Sequence, residues 1–131
     1  EIKKVLFSVG IKDLGILEKK VGELSSGQFQ RILIAFALIG EPEVLLFDEP
    51  TAGIDIGAEE TIYTSLENLR RERKLTILLV THDLSIVYKF SSNCLCLNKR
   101  VLCYGKPKRI TSSLLSKLYG GKIKIYEHRH G

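Results

Sequence analysis

Apolar residues along this chain keep two different rhythms. Phe29, Ile32, Leu33, Phe36 and Ala37 recur every three or four positions, the spacing of a helix with an apolar face. Ser25 stands before that helix with Gln28 three residues on, the order of a capping box, and Gly40 and Pro42 close it. Residues 44–47 and 75–80 are instead short continuous apolar runs, the pattern of strands buried on both faces. Between them a helix begins around residues 55–57. It has Glu59 and Glu60 at its start, Arg70, Arg71 and Arg73 at its end, and Ile62, Leu66 and Leu69 as its apolar stripe. That charge order suits the helix dipole. Strand, helix and strand of these lengths predict a βαβ unit with parallel strands and a right-handed crossover.

The flanks are shorter. Residues 1–9 predict a helix that stops at Gly10, and an irregular stretch runs from there to Glu23. A brief helix through Ile86, Val87 and Phe90 precedes a hairpin of residues 94–97 and 101–104 turning at Asn98-Lys99. Asn is the residue of that pair that tolerates a positive φ. Residues 111–119 predict a last helix capped by Gly120-Gly121, and the remainder reads as a basic tail with His128 and His130.

Composition narrows the class. A chain of 131 residues with 44% hydrophobic and 27% charged residues is an ordinary globular composition able to bury a core. No apolar run nears the ~20 residues of a membrane span. The net charge is +5, but the basic residues are scattered over helix ends and turns, so they read as solvated surface and no nucleic-acid partner is expected. The three cysteines cannot all pair, and their spacing is not that of a secreted scaffold, so a reducing compartment is expected. No methionine is present and the first residues read as a helix already under way, which points to a natural chain that begins earlier.

Three groups carry candidate chemistry. At the start of the Gln28 helix the free amides, with Gly27 allowing close approach and the Ser25 hydroxyl able to donate, suit a phosphate; the same residues also read as a plain N-cap. Asp48 and Glu49 end the first strand, and ligands of open parallel sheets bind beyond strand carboxyl ends. One acid can hold Mg²⁺ while the other orients or deprotonates a water; a polar turn before Pro50 is the plainer reading. His82 follows the second strand of the same unit, so it shares the edge with Asp48 and Glu49 and can contact a phosphate or that water.

Residues 24–31 (Leu-Ser-Ser-Gly-Gln-Phe-Gln-Arg), 45–55 (Leu-Leu-Phe-Asp-Glu-Pro-Thr-Ala-Gly-Ile-Asp) and Thr81-His82-Asp83 together resemble, in order and spacing, the signature motif, Walker B strand, D-loop and H-loop of ABC-type ATPases. The resemblance runs from about Val5 to about Ile110. It implies an α/β fold, the P-loop NTPase-type parallel sheet with flanking helices, present only as its C-terminal portion. Residues 1–110 would be the cassette part, with the signature-bearing helical portion in 1–40 and the strands, H-loop and hairpin in 41–110; residues 111–131 would be a helix and tail. The implied cofactors are ATP and Mg²⁺. Asp48 would hold Mg²⁺, Glu49 would polarise the hydrolytic water, and His82 would contact the γ-phosphate. Ser25, Ser26, Gly27 and Gln28 would close over ATP bound to a second ATPase subunit, and Asp55 would link the two sites of that dimer. Ser26 stands where the family usually has Gly, which restricts backbone approach there. No Gly-x-x-x-x-Gly-Lys-[Ser/Thr] loop occurs in the chain, nor counterparts of the γ-phosphate-sensing glutamine and base-stacking aromatic. The chain alone is therefore expected to bind ATP poorly and not to turn it over.

Residues 81–87 and 94–107 most resemble the zinc or manganese uptake branch, which implies transmembrane permease subunits, a substrate-binding protein and a cytoplasmic position on the inner face of the membrane. Two other readings stay open: an ABC ATPase without a transport role, and a non-catalytic module lending its signature surface to a partner. Cys94 and Cys96 share a strand face. Cys103 faces Cys94 if the turn centres on Asn98-Lys99, and Cys96 if it lies one residue later. The cysteines read first as three reduced small hydrophobes, and otherwise as soft-metal ligands together with His128 and His130.

Overall fold

The computed structural model describes residues 2–120 and divides into two compact units, Glu1–His82 and Asp83–Gly131. In the first, α1 (Ile2–Ser8), α2 (Ser26–Leu38) and α3 (Ile56–Arg73) accompany two strands, β1 (Val44–Asp48) and β2 (Thr76–Val80), with 3₁₀ turns at Leu14–Glu18 and Val21–Glu23. The expected α3 stripe is the core: Ile62, Leu66 and Leu69 are buried, beside Val5, Leu6, Val9, Ile34 and Leu38. Each such side chain contributes about 1.5–3 kcal/mol by leaving water.

The α1 end is locked by one arginine. Gly10 has φ +84°, and its amide donates to the Phe7 carbonyl while that of Ile11 donates to Leu6, closing the helix in the left-handed manner glycine permits. Arg31 Nη1 donates to the Val9 carbonyl at 2.5 Å and Nη2 to Thr61 Oγ1 at 2.7 Å. It thereby joins α1, α2 and α3, and burial pulls its pKa down. A β-carbon on Gly10 would come within 2.7 Å of Arg31 Nη1, so Gly10 is required both for its φ and for this clamp.

Two expectations change in this first unit. The buried face of α2 is Ile34, Ala35 and Leu38, whereas Phe29, Leu33 and Phe36 are exposed. The helix is apolar nearly all round, so periodicity alone did not single out its inner face. The strands are also not buried on both faces. They pair parallel, Val44 with Thr76 through Asp48 with Val80, and alternate: Leu45, Phe47, Ile77 and Leu79 turn inward, while Val44, Leu46, Leu78 and Val80 remain exposed. Within the described residues only one face of this two-stranded sheet is covered.

The second unit holds α4 (Leu84–Phe90), β3 (Cys94–Asn98), β4 (Arg100–Gly105) and α5 (Ser112–Tyr119). Its core is Cys96, Ile110 and Leu115, with Leu84, Val87, Leu102, Leu114 and Leu118 against it. Asp83 caps α4 through the Ser85 amide, and Thr111 caps α5 through that of Leu114. The antiparallel hairpin turns on Lys99, φ +56°. Asn98, expected to take the positive φ, instead donates its side-chain amide to the Lys117 and Leu118 carbonyls at 3.2 and 3.0 Å. Those carbonyls close α5 and lack helical partners, which gives the asparagine a second use. The last helix ends on Gly120 in the left-handed region; Gly121, His128 and His130 lie outside the described residues.

Candidate functional site

β1 and β2 run in step, so Asp48 and Val80 are partners and both strands leave the sheet at one edge. The ladder continues a residue further: the Glu49 amide donates to the Val80 carbonyl at 2.9 Å. Glu49 itself has φ +47°, a left-handed conformation that costs a side-chain-bearing residue about 1–2 kcal/mol and that concentrates at functional positions. Beyond it, His82 Nδ1 lies 2.8 Å from Glu49 Oε1. An ionised carboxylate can only accept, so Nδ1 carries the proton and donates. A neutral ring then presents its lone pair at Nε2, and a protonated one a second N–H.

This contact is wet: the His82 side chain is 80% exposed and that of Glu49 35%. An exposed pair stabilises by no more than about 1 kcal/mol, so its consequence is orientation of the ring and carboxylate rather than fold stability. Asp48 follows the strand alternation onto the exposed face with Val44 and Leu46. The two adjacent acids therefore diverge, one lying on the open sheet face and the other against His82.

The segment after Glu49 is pinned. The Ala52 amide donates to the Glu49 carbonyl at 3.1 Å and the Ile54 amide to that of Thr51 at 3.0 Å. Thr51, the buried polar residue of this segment, hydrogen-bonds the Glu59 carboxylate and lies 3.2 Å from the Tyr63 hydroxyl, tying the loop to α3. Asp55 ends the loop as the α3 N-cap, exposed and with no side-chain capping bond. The bonds that Thr51, Glu59, Tyr63 and Arg31 make were not legible in the sequence, because side-chain bonds between separate segments leave no periodic signal.

Ser25, Ser26, Gly27 and Gln28 form a separate group at the start of α2. The capping box is closed: the Gln28 amide donates to Ser25 Oγ at 3.2 Å and the Ser25 amide to Gln28 Oε1 at 3.0 Å. Ser25 and Ser26 are exposed, so this helix start faces water rather than its own core. A β-carbon on Gly27 would meet Ala58 Cβ at 3.8 Å, ordinary contact; the glycine is not demanded by packing within this chain.

An α/β segment with a parallel pair, two acids and a histidine at one strand edge, and a solvent-facing helix start has the parts of a nucleotide-handling protein. The family described as ABC transporter matches residues 1–52. The zinc import ATP-binding protein ZnuC of Cereibacter sphaeroides is 37% identical over 133 residues, 98% of this chain and 54% of that protein. Among solved structures, a metal-chelate type ABC transporter in an inward-facing conformation matches with TM-score 0.83 at 27% identity, over 91% of this chain and 47% of the other. An ATP-binding cassette in a dimeric post-hydrolysis state bound to ADP and Pi matches with TM-score 0.69 at 30% identity, over 79% of this chain and 44% of the other. The chain belongs to the ABC transporter ATP-binding family, and spans about half the length of the curated relatives it matches. No helix among the described residues is long and apolar enough to cross a membrane.

Proposed function

We propose that this chain is the part of an ABC-type ATPase subunit that contributes the hydrolytic edge and the signature surface, in a system for uptake of a divalent metal ion such as zinc or manganese. The observation that carries the reading is the 2.8 Å contact between Glu49 and His82 beside Asp48 at the end of a parallel strand pair. Glu49, held in register by its own backbone bond, polarises the attacking water. His82 is oriented by Glu49 and hydrogen-bonds the γ-phosphate. Asp48, an exposed carboxylate on the sheet face, has the hard oxygen donor that suits Mg²⁺ and would hold that ion, whose chemistry there would be to offset negative charge on the phosphates.

Ser25, Ser26, Gly27 and Gln28 serve ATP held by a second ATPase subunit, and Asp55, whose carboxylate makes no capping bond to α3, serves contact across that dimer. The open faces of β1–β2 and α2 support this partial-cassette reading, since apolar surface of this kind is normally covered. Residues 1–40, 41–110 and 111–131 remain our division into signature-bearing, strand-and-hairpin and terminal parts. Permease subunits, a substrate-binding protein and a cytoplasmic, membrane-peripheral position follow from the same reading, and metal import from the relatives' names.

Two measurements of phosphate release test it. In a complete subunit containing this segment, Glu49→Gln lowers turnover by about 10²–10⁴-fold with ATP binding retained, the range of a lost general base. The 131-residue chain alone releases no phosphate, since it has no lysine-bearing phosphate loop. Turnover unchanged by Glu49→Gln sinks the assignment.

A further inference from the structure

The second unit gathers all three cysteines of the chain at one place. Cys94, Cys96 and Cys103 present sulfur atoms that lie within 4.8 Å of one another. Cys96 and Cys103 are joined as a disulfide, and Cys94 is free, half-buried beside it, its thiol donating to the Gly105 carbonyl at 3.3 Å. This departs from three reduced cysteines acting as separate hydrophobes.

A β-bulge makes the cluster. Near the tip, Asn98 pairs with Arg100 and Leu97 with Val101; beyond the register shift, Cys96 pairs with Cys103, Leu95 with Tyr104 and Cys94 with Gly105. Leu102 is the additional residue on β4. Continued without it, the tip register would set Cys103 opposite Leu95, on the face away from Cys94 and Cys96, because side chains alternate. The bulge moves the third sulfur onto the face of the other two. Gly105 opposite Cys94 leaves that end of the face without a side chain.

We propose that, when reduced, Cys94, Cys96 and Cys103 form a three-thiolate site for a soft d¹⁰ cation of the Zn²⁺ or Cd²⁺ class, which the Cys96–Cys103 disulfide closes. Two sulfurs on one zinc, each at about 2.3 Å, stand about 3.8 Å apart, so the observed spacing needs only side-chain rotation once the S–S bond opens. A small dithiol supplies the reduction: it gives two electrons and two protons to Cys96 and Cys103 and becomes its own cyclic disulfide. The cation then displaces three thiol protons and leaves a complex of net charge −1, with a fourth position for water or another donor. Cys94 and Cys103 are partly exposed, which gives the ion a route, while Cys96 is buried in the unit's core. The site lies wholly in the second unit and draws on none of the nucleotide-edge residues.

Cd²⁺ is the probe, followed by its sulfur-to-metal charge-transfer absorption. The protein reduced with a dithiol, then freed of it under inert gas, is expected to bind one Cd²⁺ per chain with that absorption, and the disulfide form to show none. This comparison needs no substitution. Cys94→Ser is expected to weaken Cd²⁺ binding at least tenfold, and the Cys94→Ser/Cys96→Ser/Cys103→Ser variant to abolish the absorption. Equal absorption from reduced and disulfide forms overturns the proposal, as does Cys94→Ser binding as tightly as the parent. Binding that survives in the triple variant assigns the ion to other residues and overturns it too.

Discussion

The parallel pair and the hairpin solve the same problem, fixing side chains at one spot, by opposite means. In β1–β2 the register is unbroken from Val44–Thr76 to Asp48–Val80 and extends into the Glu49 amide. The candidate groups Glu49 and His82 gather past the strand ends because both strands stop together. In β3–β4 the register slips by one residue at Cys96/Leu97, and it is the slip that collects the sulfurs. A regular ladder delivers residues to an edge; an irregular one chooses which face a residue occupies. The first arrangement is wet and carries an exposed histidine, while the second is anchored by a buried cysteine.

The sharpest way to test this contrast is at the edge, where the largest effect is expected. In a complete subunit, His82→Ala should lower turnover by about 10²-fold, within the range of a positioned acid–base group. Combined with Glu49→Gln it should lower turnover little further, because residues acting as a unit are strongly non-additive. Full additivity in steady-state kinetics would break the idea that the edge works as a pair. On the hairpin side, Leu115 is wholly buried with Cys96. Leu115→Ala should cost about 2–5 kcal/mol, read from denaturant unfolding followed by a probe in the second unit.

Smaller effects separate local from tertiary causes in the first unit. Ser25→Ala opens the α2 capping box and should cost about 1 kcal/mol, seen as a lower unfolding midpoint. Smallest of all is Glu67, which bonds Arg70 and Arg71, each at 2.7 Å. Its hydrogen bond to Arg70 leads in holding its pKa at about 2, below its ordinary 4.5. Because the folded pKa is lowered, the stabilisation is complete above pH 4.5 and fades as pH falls towards 2. The arginines are well exposed, so Glu67→Gln should cost only about 0.5 kcal/mol at neutral pH, and the difference between variant and parent should shrink as pH falls through the folded pKa of about 2 in acid titrations of stability.

What could be read from the sequence was what is local or periodic. The Ser25–Gln28 box needs only residues three apart, and it is there. The α3 stripe is a clean helical period, and the strand runs on either side required Glu49 and His82 to share an edge. The inner face of α2 was hidden because Phe29 and Ile34 are equally apolar, and the choice between them is tertiary. The Arg31 clamp on Val9 and Thr61 crosses 22 and 30 residues, and the Thr51 bonds join a loop to a helix. The pairing of Cys103 turned on Leu102, whose extra place in the ladder resembles any other strand residue in one dimension. The roles proposed for Asp48, Asp55 and the helix-start serines come from the family resemblance, because a side chain that acts on another molecule leaves no contact within its own chain.

The positive φ at Glu49 has a consequence for anyone seeking a sturdier version of this protein. Glycine occupies that backbone region without penalty, so a screen that rewards heat tolerance alone would favour Gly at position 49 and discard the carboxylate beside His82. Under the role proposed for Glu49, selecting for robustness and selecting for turnover pull this one residue in opposite directions.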